Sequence, residues 1–455
     1  MTATWTATSA ESAVSEEAPY ERVRRAAVRW WPLLPLTATV LLLAAPLPAG
    51  SRAGSGGFVP ADVASGVLVV FCLVRVLHLR ARPLTPAVAV VLGAPAVGFA
   101  VATITAADPQ AGLPGYVRYL QVFVLVPAAV VLSIRDARDF RVVACCLVAL
   151  ALVQGAIGIQ QYVSGTGASY MGEDIRAVGT FGPTDVMGMA TVVSYGLLAA
   201  AALALRAPEG TSRRLRAIAV AAAAVLVVPL ALSFSRGAWI ATAIAALAVI
   251  LLTGVRTAVR ALAVLTAAAV VLVGGFGVGS EMISQRLSSI TEVTEAPDQS
   301  VTDRYTMWAA AASMWREEPV TGVGLKGFPA HRDAHASIGL SAGSDTAGAG
   351  QVFQKQPLLS PHNMYLLVLS EQGLIGVTAF VGSWAAVLVG GVRRVLRSGR
   401  RAAGDCGLVA VGLMVWQTVD FLYADIGGPS TVLTGVVLGL GAWWAFAAPG
   451  GAKSA

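Results

Sequence analysis

Charge is scarce in this chain. Asp, Glu, Lys and Arg make up 13% of its 455 residues, against about 25% in a soluble globular domain. With 56% hydrophobic residues and a mean hydropathy of +0.71, that shortage excludes an ordinary soluble domain and predicts a polytopic membrane protein. Cysteine is scarce too: Cys72, Cys145, Cys146 and Cys406 all lie in or beside apolar runs, so no disulfide framework is expected in the polar stretch. There is no His/Cys cluster and no Asp-x-Asp; Glu173-Asp174 and Glu317-Glu318 are adjacent pairs that diverge on a helix, and neither has the spacing of a metal site. No cofactor is expected. Residues 1–20 are polar and acidic and the first apolar run is long, which predicts a retained anchor rather than a cleaved leader. The net charge of +7 does not point to nucleic acid, because the arginines fall between apolar runs.

What is present is a series of apolar runs, each near the ~20 residues that cross a bilayer. They fall near 30–48, 61–79, 86–106, 116–134, 142–162, 186–205, 217–234, 238–255, 261–280, 363–391, 405–423 and 429–447. The fold class is therefore all-α: a polytopic transmembrane bundle of about twelve spans with one large, partly helical extracytoplasmic loop. The tenth run is long enough to tilt or to hide a break near Gly373 and Gly376; a re-entrant bend at Ser233–Gly237 would also fit.

Arginine placement orients the bundle. Arg22, Arg24, Arg25 and Arg29 precede the first span, and basic clusters follow every even-numbered span up to the tenth: Arg80/Arg82, Arg135/Arg138/Arg141, Arg206/Arg213/Arg214/Arg216, Arg256/Arg260 and Arg393/Arg394/Arg397/Arg400/Arg401. Both termini are then cytoplasmic. The expected organisation is a cytoplasmic tail 1–29, spans one to nine over 30–280, an outward loop 281–361, spans ten to twelve over 362–447 and a cytoplasmic tail 448–455. The outward loop carries six basic residues (Arg286, Arg304, Arg316, Lys326, Arg332, Lys355) against nine acidic ones. Its arginines need a reason other than topology.

Four arginines recur at outward ends: Arg118, Arg176, Arg236 and Arg304. A guanidinium binds phosphate oxygens bidentately and stays charged when partly desolvated, and an ionisable group near hydrocarbon is a functional candidate. Snorkelling to lipid headgroups is the plainer account of any one of them. Arg118 is expected in the first turn of its span. Arg304 is expected to open a helix after Ser300-Val301-Thr302-Asp303, with Tyr305, Trp308, Ala309, Ala312 and Trp315 at helical spacing, their face on the membrane or on the bundle's outer surface, and Pro319 ending it. Gly322, Gly324 and Gly327 read as turns; a phosphate cradle lacks its strand and its Gly-Lys-Ser/Thr. His362 is expected in the first turn of a helix capped by Ser360, with Pro361 at its start. A helix N-terminus disfavours imidazolium, which would suit a neutral general base; a capping or headgroup-contacting histidine is the alternative. His331 and His335 fall in loop sequence. Asp420 and Tyr423 end the eleventh span outward, either as interfacial anchors or to contact an acceptor or orient His362.

Four ordered segments together resemble the O-antigen ligase and O-antigen polymerase superfamily of membrane glycosyltransferases. They are Arg176-Ala177-Val178-Gly179-Thr180-Phe181-Gly182-Pro183, Ser233-Phe234-Ser235-Arg236-Gly237-Ala238-Trp239, Asp303-Arg304-Tyr305-Thr306-Met307-Trp308 running to Glu318-Pro319-Val320-Thr321-Gly322-Val323-Gly324, and His362-Asn363-Met364-Tyr365-Leu366 continuing to Glu371-Gln372-Gly373-Leu374-Ile375-Gly376. Each is short; their order and the large loop before His-Asn are more specific. The resemblance implies transfer of a glycan from a polyprenyl (undecaprenyl) diphosphate donor to an acceptor hydroxyl, with inversion, at the outer face of the cytoplasmic membrane, in cell-surface polysaccharide assembly; the arginines could neutralise the diphosphate, so no metal is expected. It implies Arg236 and Arg304 as diphosphate clamps and His362 as base. Arg118, Arg176, Asn363, Tyr365 and Asp420 would contact diphosphate or acceptor. The partners implied are the lipid-linked glycan, a glycan, lipid or protein acceptor, and membrane lipids. Ligase, polymerase and protein oligosaccharyltransferase all stay open.

A twelve-span secondary transporter is the rival class. It would place charges and broken helices near the midplane of two related halves, whereas the polar groups here gather at one face and no repeat relates the halves.

Overall fold

The computed structural model describes residues 29–46, 60–79, 84–170, 173–182, 185–208, 210–260, 263, 299–337, 340, 358–398 and 404–447. The ninth expected span, both tails and most of 281–298 and 338–357 lie outside the described residues. Among those described, the chain is helical apart from one hairpin, the all-α architecture the composition predicts. The first helices are α1 (Leu34–Leu41), α2 (Pro60–Leu79), α3 (Pro86–Ile104) and α4 (Pro109–Leu120), which continues through a π turn at Gln121–Leu125 into α5 (Val126–Ser133). α6 (Ala137–Ser164) leads to the antiparallel hairpin β1 (Ala168–Tyr170) and β2 (Glu173–Arg176), with Ala168 opposite Arg176. Then come α7 (Val186–Leu205), α8 (Arg213–Leu232), α9 (Arg236–Leu252), α10 (Gln299–Glu317) and α11 (Phe328–His335). α12 (Met364–Ser398), α13 (Gly404–Asp420) and α14 (Thr431–Ala442) complete the chain.

Seven helices among the described residues are long and apolar enough to cross a membrane, and three shorter apolar helices accompany them. Polar caps set the starts. Asp108 Oδ1 accepts from Gln110 N and Ala111 N at 3.0 and 3.1 Å, and Asp136 Oδ1 from Arg138 N and Asp139 N at 2.8 and 3.0 Å, satisfying amides that hydrocarbon could not. Between helices, packing replaces the hydrophobic effect and small residues permit close approach. α3 and α12 cross so tightly at Gly98 that a Cβ there would lie 2.8 Å from Gly376 Cα. Aromatic side chains fill the adjoining space, with Phe99 on Tyr119 at 5.0 Å and Phe123 on Phe380 at 5.1 Å between ring centres.

The bundle has two chemically different ends. One gathers arginines with acids: Arg29 on Asp136 (3.2 Å), Arg135 on Asp139 (2.7 Å) and Arg141 on Asp405 (2.6 Å). The other gathers the motif segments, joined by polar contacts between the end of α3, the hairpin, the α8–α9 turn, α10, the start of α12 and the end of α13.

Several local expectations need correction. Arg118 lies in the third turn of α4 rather than the first, because Asp108-Pro109 starts that helix earlier. α10 begins by Gln299, so Arg304 is inside it and Ser300–Asp303 is not its cap. His331 and His335 sit on α11 rather than in a loop: His331 Nδ1 meets the Gly327 carbonyl at 2.9 Å and His335 Nδ1 meets Ser313 Oγ at 3.0 Å. Glu173 and Asp174 fall on β2, not on a helix. Ser233–Ser235 forms a turn between two separate helices, its Phe234 left-handed at φ 49°.

Candidate functional site at one end of the bundle

α12 is broken at Gly373 (φ 60°, ψ −159°), the break the long apolar run suggested. Breaking a helix strands carbonyls on one side and amides on the other. The Glu318–Gly324 segment satisfies both sets. Val323 N donates to Ser370 O at 2.9 Å and Gly324 N to Glu371 O at 3.1 Å, while Leu374 N donates to Pro319 O at 2.9 Å and Ile375 N to Val320 O at 3.2 Å. Gly322 (φ 69°) and Gly324 (φ 94°) adopt the left-handed backbone this requires. The Gly324 amide is committed to α12 and the Gly322 amide donates to Glu318 O at 3.0 Å, so these glycines act as turns. Glu371, 1% exposed, extends the splint by accepting from Phe328 N at 3.2 Å at the start of α11. A lone acid inside an apolar run was the signal that could have marked it.

The four residues after Asp420 form the hub of the site. Asn363 Nδ2 donates to Leu422 O at 2.8 Å, and Met364 N reaches Phe421 O and Ala424 O at 2.9 and 3.1 Å. The Tyr423 hydroxyl donates to the Gly237 carbonyl, in the first turn of α9 beside Arg236. Its ring occupies the space a Cβ on Gly237 would need. Burial raises the Tyr423 phenol above its usual range, Asp420 adds to the rise, and the charge of Arg304 opposes it. Trp308, one turn beyond Arg304, donates its indole N–H to Pro361 O at 2.9 Å, which ties α10 to the residue before His362.

These contacts tie the start of α9 and the start of α12 to the turn after α13, and α10 to the residue before His362. His362 is not in the helix. It is left-handed at φ 48°, its amide donates to Ser360 Oγ at 3.3 Å, and Asn363 is the cap, its Oδ1 accepting from Leu366 N at 3.0 Å. The Ser360 cap of the sequence reading is thus displaced by three residues, because Asn363 offers a better-placed acceptor and the His362 backbone turns the chain. Arg332 of α11 holds the approach, donating from Nη1 to Leu358 O at 3.0 Å.

Around this centre the remaining residues differ in placement. Arg176 Nε donates to Ser233 O at 2.9 Å, so it abuts the turn that carries Arg236. Arg118 instead pairs with Asp62 at the start of α2 and bonds Gln121 Oε1 at 3.1 Å; its contacts are with α2 and its own helix. Asn363 spends its side chain on α12 and Leu422, and the Tyr365 hydroxyl donates to Thr418 O at 2.9 Å. Asp420, 6% exposed, accepts from Gln417 Nε2 at 3.1 Å through Oδ2, and its Oδ1 is buried. Asp185, at the start of α7, accepts from Ser430 Oγ at 3.1 Å at the start of α14, and burial pushes its pKa up to about 6. Reading the sequence missed Trp308, Arg332 and Asp185 as contacts of this end, because each acts across elements far apart in the chain.

Residues 218–381 match the family model described as O-antigen ligase. The match agrees with the resemblance carried by the motifs and is consistent with the O-antigen ligase superfamily. It runs from α8 through the break in α12 and contains Arg236, Arg304 and His362; Arg118, Arg176 and Asp420 lie outside it. At the family level it supports an O-antigen ligase- or polymerase-like function in a membrane protein. Among curated proteins no match was found.

Proposed function

We propose that this chain is a membrane glycosyltransferase that moves a glycan from a polyprenyl diphosphate to an acceptor hydroxyl. The single observation that carries the reading is the gathering at one end of the bundle in which the Asp420–Ala424 turn links Arg236 through Tyr423 and Gly237 and His362 through Asn363 and Met364, while Trp308 ties the helix of Arg304 to Pro361. In this reading His362 takes the acceptor's hydroxyl proton, and the freed oxygen attacks the anomeric carbon from the face opposite the diphosphate. As the new C–O bond forms, the bond from that carbon to the diphosphate oxygen breaks. The leaving polyprenyl diphosphate keeps the electron pair, and inversion follows. Arg236 and Arg304 meet the developing charge, a task fixed guanidinium groups perform better in a water-poor site than in bulk water. No metal is assigned to the reaction. Arg176 supports the Arg236 turn, Asp420 offers an acceptor contact, and Arg118 belongs to the periphery.

The positive-inside bias puts the arginine-rich end of the bundle in the cytoplasm, with both termini, and the site at the outer face of the cytoplasmic membrane. The loop 281–361, to which α10 and α11 belong, then lies on the outer side, between spans one to nine and ten to twelve. A transporter finds little support: the motif-bearing side chains gather at one end rather than at the middle of two related halves.

Purified protein in vesicles, given a polyprenyl-diphosphate oligosaccharide with and without chelator, tests the reading. A ladder of product lengths identifies a polymerase; a single addition to a supplied glycan, lipid or protein acceptor identifies a ligase or an oligosaccharyltransferase. Full turnover by Arg236→Ala, Arg304→Ala and His362→Ala would sink the site assignment.

A further inference from the structure

Three buried side chains, Tyr195 of α7 with Gln417 and Asp420 of α13, form a hydrogen-bonded chain that ends where the site begins. Gln417 donates from Nε2 to Asp420 Oδ2 at 3.1 Å. Its Oε1 accepts from the Tyr195 hydroxyl and, at 3.4 Å, from Thr434 Oγ1 of α14. An ionised carboxyl only accepts, so the amide nitrogen has to face Asp420, and the two hydroxyls then donate to the amide oxygen. Tyr195 is itself held in place. Its ring meets Trp416 edge-on, with centres 5.0 Å apart. The Trp416 indole donates to Thr242 Oγ1 of α9 at 2.9 Å, and Thr242 Oγ1 donates to Ser194 Oγ at 2.8 Å.

Asp420 is the far end of this chain. Its carbonyl accepts from Tyr423 N and Ala424 N at 3.0 and 2.9 Å, closing the turn to which Asn363 and Met364 bond. Its Oδ2 is spent on Gln417, whereas its buried Oδ1 accepts no hydrogen bond among the described residues. In the same segment the buried Asp425 Oδ2 accepts none either. A buried acceptor left bare is costly, and the hydroxyl of a bound substrate is a donor that would satisfy it. A network that serves packing alone is most stable when its last atom is satisfied too; this one ends on a bare oxygen at the hub of the site. We propose, resting on the transfer reaction above, that Gln417 and Tyr195 are positioning residues. They hold Asp420 with one oxygen occupied and the other ready to accept from a hydroxyl of the acceptor substrate. Neither touches the reacting atoms, and both act through Asp420.

The test uses the full-length protein in vesicles, with a polyprenyl-diphosphate oligosaccharide as donor and supplied glycan, lipid and protein acceptors. The readouts are kcat, the KM for the donor and the thermal midpoint. Gln417→Met keeps the side chain's length and removes its donor; Tyr195→Phe removes only a hydroxyl, and decides the matter if Gln417→Met fails to fold. Each should lower kcat about tenfold, the order of one charge-assisted hydrogen bond, with the donor KM unchanged. Added to Asp420→Ala, either change should cost no further activity, because no carboxyl is left to hold. Three results overturn the proposal: wild-type kcat in both single variants, losses that persist undiminished in the Asp420→Ala background, or losses of kcat that only follow the fall in midpoint. Wild-type protein that transfers no glycan to any acceptor removes the reaction itself, and this proposal with it.

Discussion

Trp308 donates its indole N–H to the carbonyl of Pro361 at 2.9 Å. The donor sits one turn beyond Arg304 and the acceptor immediately before His362, so a single bond couples the two sides of the proposed site. Trp308→Phe keeps the ring's packing and loses the bond, worth about 1 kcal/mol. Protein yield and thermal midpoint should barely change. Single-turnover transfer in vesicles should slow roughly fivefold, as that energy implies. A wild-type rate would mean that this bond does not set the geometry.

Tyr423 offers a second handle on the same centre. Tyr423→Phe removes its bond to the Gly237 carbonyl, and Gly237→Val pushes the ring out of its seat. The first should lower transfer by about tenfold or less, in keeping with one neutral hydrogen bond. The second should lower it by more than about a hundredfold, since a shift of ~1 Å in a positioning contact costs that much. Equal activities in the two variants would show that Tyr423 is not what holds the start of α9.

The break in α12 should be intolerant of a side chain. Gly373→Ala adds a Cβ at φ 60° that collides with the Val320 carbonyl, a combination worth roughly 2 kcal/mol or more. Gly382→Ala, in the same helix with nothing within 4 Å of the added Cβ, is the control. Thermal unfolding in detergent should separate the two clearly, with Gly382→Ala at or slightly above wild type.

Arg118 is expected to matter for folding rather than for transfer. Its partner Asp62 is 11% exposed at the side chain, so Arg118→Ala leaves a poorly hydrated carboxylate and should cost on the order of 1–3 kcal/mol. Arg118→Ala with Asp62→Ala should recover part of that loss. If the double variant is as stable as wild type yet inactive, Arg118 belongs to the substrate site after all.

Asp185 gives a pH dependence. Burial raises its pKa from 3.8 to about 6 despite the Ser430 bonds that oppose the rise. A carboxyl whose pKa is higher in the fold than in the unfolded chain favours folding when protonated. Its contribution is complete below the unfolded value and is lost as pH rises through about 6. Thermal midpoints measured between about pH 4 and pH 7 should therefore fall with rising pH, and Asp185→Asn should flatten that fall. A wild-type slope preserved in Asp185→Asn would assign it to another group.

Much of this protein was legible before any coordinates. The apolar runs at 61–79, 86–106 and 186–205 became α2, α3 and α7 within a few residues, because a bilayer-crossing helix meets its backbone hydrogen bonds locally and its length follows from hydrocarbon thickness. The break near Gly373 was readable for the same reason: an apolar run too long for one span must tilt or break. Helix starts were less legible. Ser360 and Asn363 are both competent caps, and the left-handed backbone of His362 decided between them. In the same way Asp108-Pro109 placed Arg118 two turns deeper than its apolar neighbours suggested.

Composition and periodicity by themselves determined the class of this chain, the place of several of its apolar helices and its arginine asymmetry, because those depend on transfer free energies of consecutive residues. Short motifs went further and named Arg236, Arg304 and His362 as candidates. Only the tertiary structure decided which candidates lie on segments packed together. Arg118 and Arg236 looked alike in sequence, each an arginine at the end of an apolar run, yet one pairs with Asp62 and the other stands beside Tyr423. The difference lies in partners supplied by helices distant in the chain, and a guanidinium's role is set by what it faces, which no local pattern records.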